Sequence, residues 1–84
     1  MSPQELMRLW SDVVIDLRGD HHTWVLVELE QCACTVPLGD VMEVVSDMPD
    51  VSVKVCDWAE RRGYEYMGTI EEPGCSRVFV RRTH

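Results

Sequence analysis

A series of glycine- and proline-marked breaks divides this chain into segments only long enough for single strands or helices. They are Gly19, Pro37-Leu38-Gly39-Asp40, Asp47-Met48-Pro49-Asp50, Gly63 and Glu71-Glu72-Pro73-Gly74. Glycine loosens the backbone and proline removes an amide donor, so regular structure seldom runs through either. The segments between them differ in period. Val13-Val14-Ile15-Asp16-Leu17 is a β-branched run that predicts a first, largely buried strand, and Val41-Met42-Glu43-Val44-Val45-Ser46 predicts a second. Thr23 to Val36 carries two signals. Trp24-Val25-Leu26-Val27 has strand propensity, whereas Val25, Leu29, Cys32 and Val36 follow helical spacing with Thr23 as a capping residue. The length available before Pro37 favours helix, with Glu28, Glu30 and Gln31 on its wet face.

Past the break at Asp47–Asp50, which supplies capping oxygens, Val51, Val55, Trp58 and Ala59 mark a second helical face. That helix ends at Gly63, a suitable left-handed residue, with Arg61 and Arg62 in the last turn where the dipole favours cations. Tyr64 to Ile70 and Ser76 to Arg82 read as strands joined in an antiparallel hairpin. The order β-α-β-α-β-β predicts an α+β fold: a two-layer α/β sandwich with both helices on one face of a four-stranded mixed sheet. Ahead of it, Ser2-Pro3-Gln4-Glu5 is a capping-box pattern that opens a short helix from Pro3 to Ser11 striped by Leu6, Leu9 and Trp10. Residues 1–12 therefore read as a helical extension and residues 13–84 as the domain proper.

A domain of 84 residues buries a modest share of its surface, so Trp10, Trp24, Trp58 and Phe79 are first read as packing. The formal net charge of -7 repels a phosphate backbone, which argues against nucleic acid as a partner. Arg77, Arg81 and Arg82, with Arg61 and Arg62, could form a basic spot but read first as a solvated strand end. The chain shows no leader pattern and no apolar run of membrane-spanning length, so the expectation is a cytoplasmic protein with reduced thiols and no membrane partner. Cys32, Cys34, Cys56 and Cys75 have neither zinc-ribbon nor thioredoxin spacing, and no metal or other cofactor is expected.

One stretch has a more specific pattern. Asp16-Leu17-Arg18-Gly19 is followed, without a gap, by Gly39 in a Pro-x-Gly-Asp turn, by Pro49, and by Trp58-Ala59 with Gly63-Tyr64 at a helix end. From Asp16 onward the chain resembles the TusA/SirA family of small sulfur-carrier proteins, whose pattern at this point is Asp-x-Arg-Gly-Leu-x-Cys-Pro-x-Pro. The resemblance also favours helix after Gly19. It places His22 where the family has its sulfur-bearing cysteine, Thr23 at the first proline and Val25 at the second. In the family that cysteine opens the first helix and carries sulfur as a persulfide, and the amides and dipole of a helix start favour the reactive thiolate. Imidazole cannot hold a sulfane sulfur in that way.

The residues that the resemblance brings forward are Arg18, Asp20, His21, His22 and Thr23, read as a binding surface rather than a catalytic one. His21 and His22 are first read as exposed loop residues, then as recognition groups offering donor and acceptor, and last as metal ligands with Asp20. Three residues of one short loop make a poor zinc site. Among the thiols, Cys32 and Cys56 read as small buried hydrophobes. Cys75, at the hairpin tip beside an Arg77 able to lower its pKa, is the best alternative carrier, and Cys34 is the next.

The leading expectation is a TusA-like domain without the sulfur-carrying cysteine, acting as a noncatalytic protein-binding or scaffold member of a sulfur-transfer system. Its partner would be a sulfurtransferase or a sulfur-accepting enzyme. The alternatives are an active sulfur carrier using Cys75 or Cys34, and a small-ligand or metal-responsive regulatory domain using Asp20, His21 and His22. A homodimer through an exposed hairpin edge or the N-terminal helix is compatible with each.

Overall fold

The computed structural model describes residues 10–19 and 22–84, with His22 and Thr23 described by their backbone. The elements run β1 (Val13–Asp16), α1 (His22–Ala33), β2 (Val41–Ser46), α2 (Val51–Arg62), β3 (Glu65–Glu72) and β4 (Cys75–Arg81). This is the expected β-α-β-α-β-β order. The sheet is ordered β1-β2-β4-β3. β1 lies parallel to β2 with Ile15 opposite Val44, whereas β4 is antiparallel to both β2 and β3. The sheet is therefore mixed, with the last strand at its interior.

Alternation along each strand decides which residues meet the helices. Ile15, Met42, Val44, Val78 and Val80 point to one face and join Val25, Leu29, Ala33 and Val36 of the α1 region and Val51, Val55, Trp58 and Ala59 of α2 in a single core. The spacing of those helical residues is the apolar stripe that drives both helices onto the sheet. Cys32 packs at the margin of the core, and Ala33 takes the fully buried position beside it. On the opposite face Val41, Val45 and Phe79 are buried as well, while Val14 and Ile70 nearer the edges stay exposed.

Several expectations are corrected. β1 is not largely buried: as an edge strand it turns Val14 outward, and only Ile15 within it is buried. Trp10 and Trp24 are not core residues, being 57% and 58% exposed, whereas Trp58 and Phe79 are buried as expected. Thr23 does not cap α1, because the helix has already begun at His22. Asp50 stands at the cap position of α2 without a side-chain capping hydrogen bond, and its carboxylate faces Lys54 one turn on. The hairpin is longer than expected, β3 reaching Glu72 and β4 starting at Cys75, so that only Pro73 and Gly74 turn the chain. The expected N-terminal helix over Pro3–Ser11 falls at residues 1–9 outside the described residues, and Trp10 and Ser11 are not helical.

Gly63 ends α2 at φ 72°, a conformation that costs an L side chain about 1 kcal/mol or more. Its amide reaches back to Glu60, and that of Tyr64 reaches Ala59. Beyond β4 the chain ties down both helix ends. Arg82 Nη1 donates to the carbonyls of Val36 at 2.6 Å, Ala33 at 3.2 Å and Cys34 at 3.3 Å, just where α1 exposes its last acceptors. Thr83 Oγ1 donates to the Gly63 carbonyl at 2.7 Å, and the His84 ring stacks on Tyr64. Between the helices, Glu30 accepts from Trp58 Nε1 at 2.7 Å and from Arg62 Nε at 2.6 Å.

The arginines do not pool into a basic spot. Arg61 pairs with Asp57, Arg62 with Glu30, Arg77 with Glu43 and Glu72, Arg81 with Glu65, and Arg82 with helix carbonyls. Among the described residues no helix is long and apolar enough to cross a membrane.

Candidate functional site

The parallel pairing of β1 with β2 and the antiparallel return of β4 bring three segments to one end of the sheet. These are the loop from β1 into α1, the segment after β2, and the β3–β4 hairpin. The loop into α1 is held from both sides. Leu17, 1% exposed, anchors it in the core, and the Leu17 amide donates to the Val45 carbonyl at 2.7 Å. Gly19, at φ 86°, donates its amide to Asp47 Oδ1 at 3.3 Å. Such a backbone suits glycine, so the pattern Arg18-Gly19 has a local physical reason. α1 then begins at His22.

Between these anchors, Arg18 folds back on Asp16. Its Nε and Nη2 meet the two carboxylate oxygens at 3.0 and 2.7 Å, and its backbone amide adds a further bond at 3.0 Å. Donation from the guanidinium, then from the amide, lowers the Asp16 carboxyl to about 2. The same fork raises the Arg18 pKa. Both side chains are about half exposed, so the pair shapes a surface rather than a buried network.

A second charged set lies alongside. Arg77 bridges Glu43 at 2.5 Å and Glu72, and Glu43 also accepts from Ser11 Oγ at 2.8 Å. Cys75, the first residue of β4, sits beside this set with its Sγ 3.5 Å from Glu72 Oε1. Here the expectation for Cys75 is overturned. Arg77 and Arg18 do act to lower its pKa, but partial burial comes first and the hydrogen bond and charge of Glu72 come next, so the thiol is pushed up. The anion that would react is disfavoured. Cys75 is also not the most accessible cysteine, since Cys34 is exposed and the other three are partly buried. Cys34 follows the C-terminus of α1 rather than opening a helix. Neither alternative thiol has the setting that a helix start provides.

Of the binding residues read from the sequence, Arg18 and the backbone of His22 and Thr23 are brought to this end of the sheet. Asp20 and His21 lie outside the described residues, as do the side chains of His22 and Thr23. Two residues were missed. Trp24 and Val27, 58% and 45% exposed, lie three apart on α1 and form an outward apolar strip starting in the first turn. The signal was available, because both fall off the Val25–Leu29–Val36 stripe. Assigning every tryptophan to the core concealed it.

The chain is 27% identical over 70 residues to an Archaeoglobus fulgidus protein described as a "Putative sulfur carrier protein", covering 83% of this chain and 96% of that relative. Its fold matches the crystal structure of a SirA-like protein from Desulfitobacterium hafniense with a TM-score of 0.71, over 86% of this chain and 99% of the other, at 19% identity. In sequence and in fold the chain is similar to TusA/SirA-like proteins. No family model matches it. α1 starts at His22, the residue that the sequence resemblance sets at the family's cysteine position.

Proposed function

We propose that this TusA/SirA-like domain is a noncatalytic protein-binding member of a sulfur-transfer system, acting in the cytoplasm on a sulfurtransferase or a sulfur-accepting enzyme. The observation that carries the reading is the start of α1 on His22, in a fold otherwise retained around that point. A persulfide needs a thiolate to form and to pass its sulfur on, and an imidazole offers none. The surface beside it supports the binding half of the proposal. Trp24 and Val27 are exposed in the first half of α1, and tryptophan is enriched among the anchors of protein interfaces.

The test measures sulfur loading and binding separately. Reduced wild-type protein incubated with a cysteine desulfurase and cysteine is expected to show no gain of sulfur by intact mass, whereas His22→Cys gains one sulfur. Wild type is expected to retain affinity for a sulfurtransferase or acceptor, and Trp24→Ala to weaken it by about tenfold or more, the effect of a hot-spot truncation. A sulfur adduct on wild type that vanishes in Cys75→Ser or Cys34→Ser would establish a displaced carrier instead. Absence of binding to any such enzyme would remove the scaffold reading.

A further inference from the structure

A second surface lies on the outer edge of the sheet, across from β1, and does not depend on the reading of His22. β3 is an edge strand, and its helix-facing side is only partly covered by α2. Between them runs an open groove of about 420 Å³ lined by Ser52, Val53, Cys56, Glu60 and Asp57 of α2 and by Tyr66, Thr69 and Glu71 of β3. Its apolar contribution comes from Val53, 71% exposed, and Tyr66, 41% exposed. Three carboxylates line it, Asp57 paired from outside by Arg61 and Glu71 accepting from Ser76 Oγ, and among the described residues no lysine or arginine is part of the lining.

Edge, groove and charge select one kind of occupant. A strand edge presents unpaired amides and carbonyls to an extended chain, and a strand added there sends alternate side chains into the groove. The register between β3 and β4 shifts between Tyr66 and Gly68, which bends the first part of β3 and leaves Gly68–Glu72 as the regular stretch. A second copy of the domain fits poorly. Symmetric antiparallel pairing over the whole of β3 would set Glu65 of each copy opposite Glu72 of the other, joining two chains of net charge -7. We propose that the β3 edge and the α2–β3 groove bind an extended cationic segment of a partner protein as a fifth strand. Its apolar side chains rest on Val53 and Tyr66, and its lysines or arginines face Asp57, Glu60 and Glu71.

The probe is a blocked hexapeptide of alternating lysine and valine, titrated into the full, reduced, isotope-labelled chain, with alternating glutamate and valine as its counterpart. The basic peptide is expected to shift the backbone amides of Gly68–Glu72 and Ser52–Glu60 and to weaken with added salt. Glu60→Lys and Val53→Asp, both surface changes on α2 that leave the core untouched, are each expected to lower its affinity by about fivefold. Equal binding of the acidic peptide, shifts that avoid β3, or no shift at millimolar peptide would overturn the proposal. So would the same β3 shifts appearing with protein concentration alone, which would make the edge a dimer contact.

Discussion

Arg82 is where one side chain has the most measurable effect on the fold. Its Nη1 serves three carbonyls at the end of α1, and the bond to Val36 at 2.6 Å is the strongest by distance. A hydrogen bond from a charged donor contributes about 1.5–3 kcal/mol net, and a cation at a helix C-terminus adds about 0.5 kcal/mol. The two longer bonds, at 3.2 and 3.3 Å, share with the Val36 bond the two hydrogens of one nitrogen, so they add little. Arg82→Met keeps the aliphatic stem and removes the donors, and should cost about 2–3 kcal/mol. For a domain of this size that is a fall in Tm of about 10–20 °C, or about 2–3 M in the urea midpoint at an m-value of about 1 kcal/mol/M. Arg82→Lys keeps the charge on a shorter reach and should recover part of the loss. Hydrogen exchange localises the effect: the amides of Cys34, Thr35 and Val36, bonded to Glu30, Cys32 and Ala33, should exchange faster in Arg82→Met. A loss below about 0.5 kcal/mol, or a larger one with exchange at those amides unchanged, would refute the assignment of Arg82 as the lock on α1.

Three further outcomes follow from the same geometry. The Asp16 carboxyl titrates at about 2 in the folded chain, below its ordinary value of 3.8, so its contribution is complete above the ordinary value and fades as pH falls through the folded one. A carboxyl-detected NMR titration should place Asp16 there and show it moving back up in Arg18→Ala; an unchanged value would remove the fork as the cause. Gly63→Ala should destabilise by about 1–2 kcal/mol from its left-handed backbone, and an added Cβ would stand only 2.8 Å from His84 Nε2. Deleting His84 should recover the contact part alone, as read by urea unfolding. Alkylation of the reduced protein should label Cys34 before Cys75, and Glu72→Gln should lower the Cys75 pKa and quicken its reaction; peptide mapping by mass reads both.

The elements were legible because their signals are local. The helical stripe through Val25, Leu29 and Val36, the face through Val51, Val55, Trp58 and Ala59, and the stop at Gly63 depend on residues within a few positions of one another. What escaped depends on which strand ends up at an edge. Val14 looks as apolar as Ile15, and only the sheet order exposes it. Trp24 illustrates a different failure, since size argued for the core while position on the helix argued against it. At the site, the relation of Arg18 to Asp16 is a matter of two residues and could be anticipated as loop hydrogen bonding. The chemistry of Cys75 could not: Arg77 is two residues away and visible, but the stronger influence of Glu72 exists only once the hairpin folds.

The interior position of β4 also bears on how the chain reaches its structure. β4 is the last strand of the domain in sequence, yet it lies between β2 and β3. A chain emerging from the ribosome can close the β1–α1–β2 unit early, but β3 has no neighbour until Cys75–Arg81 arrives to join the two halves. The cooperative step therefore waits for the final strand, and the long-range pairing of Val41 with Arg81 makes it slow relative to helix formation. A chain cut short before β4 loses the seam of the sheet rather than its margin, leaving the exposed edges of β2 and β3 open to other chains.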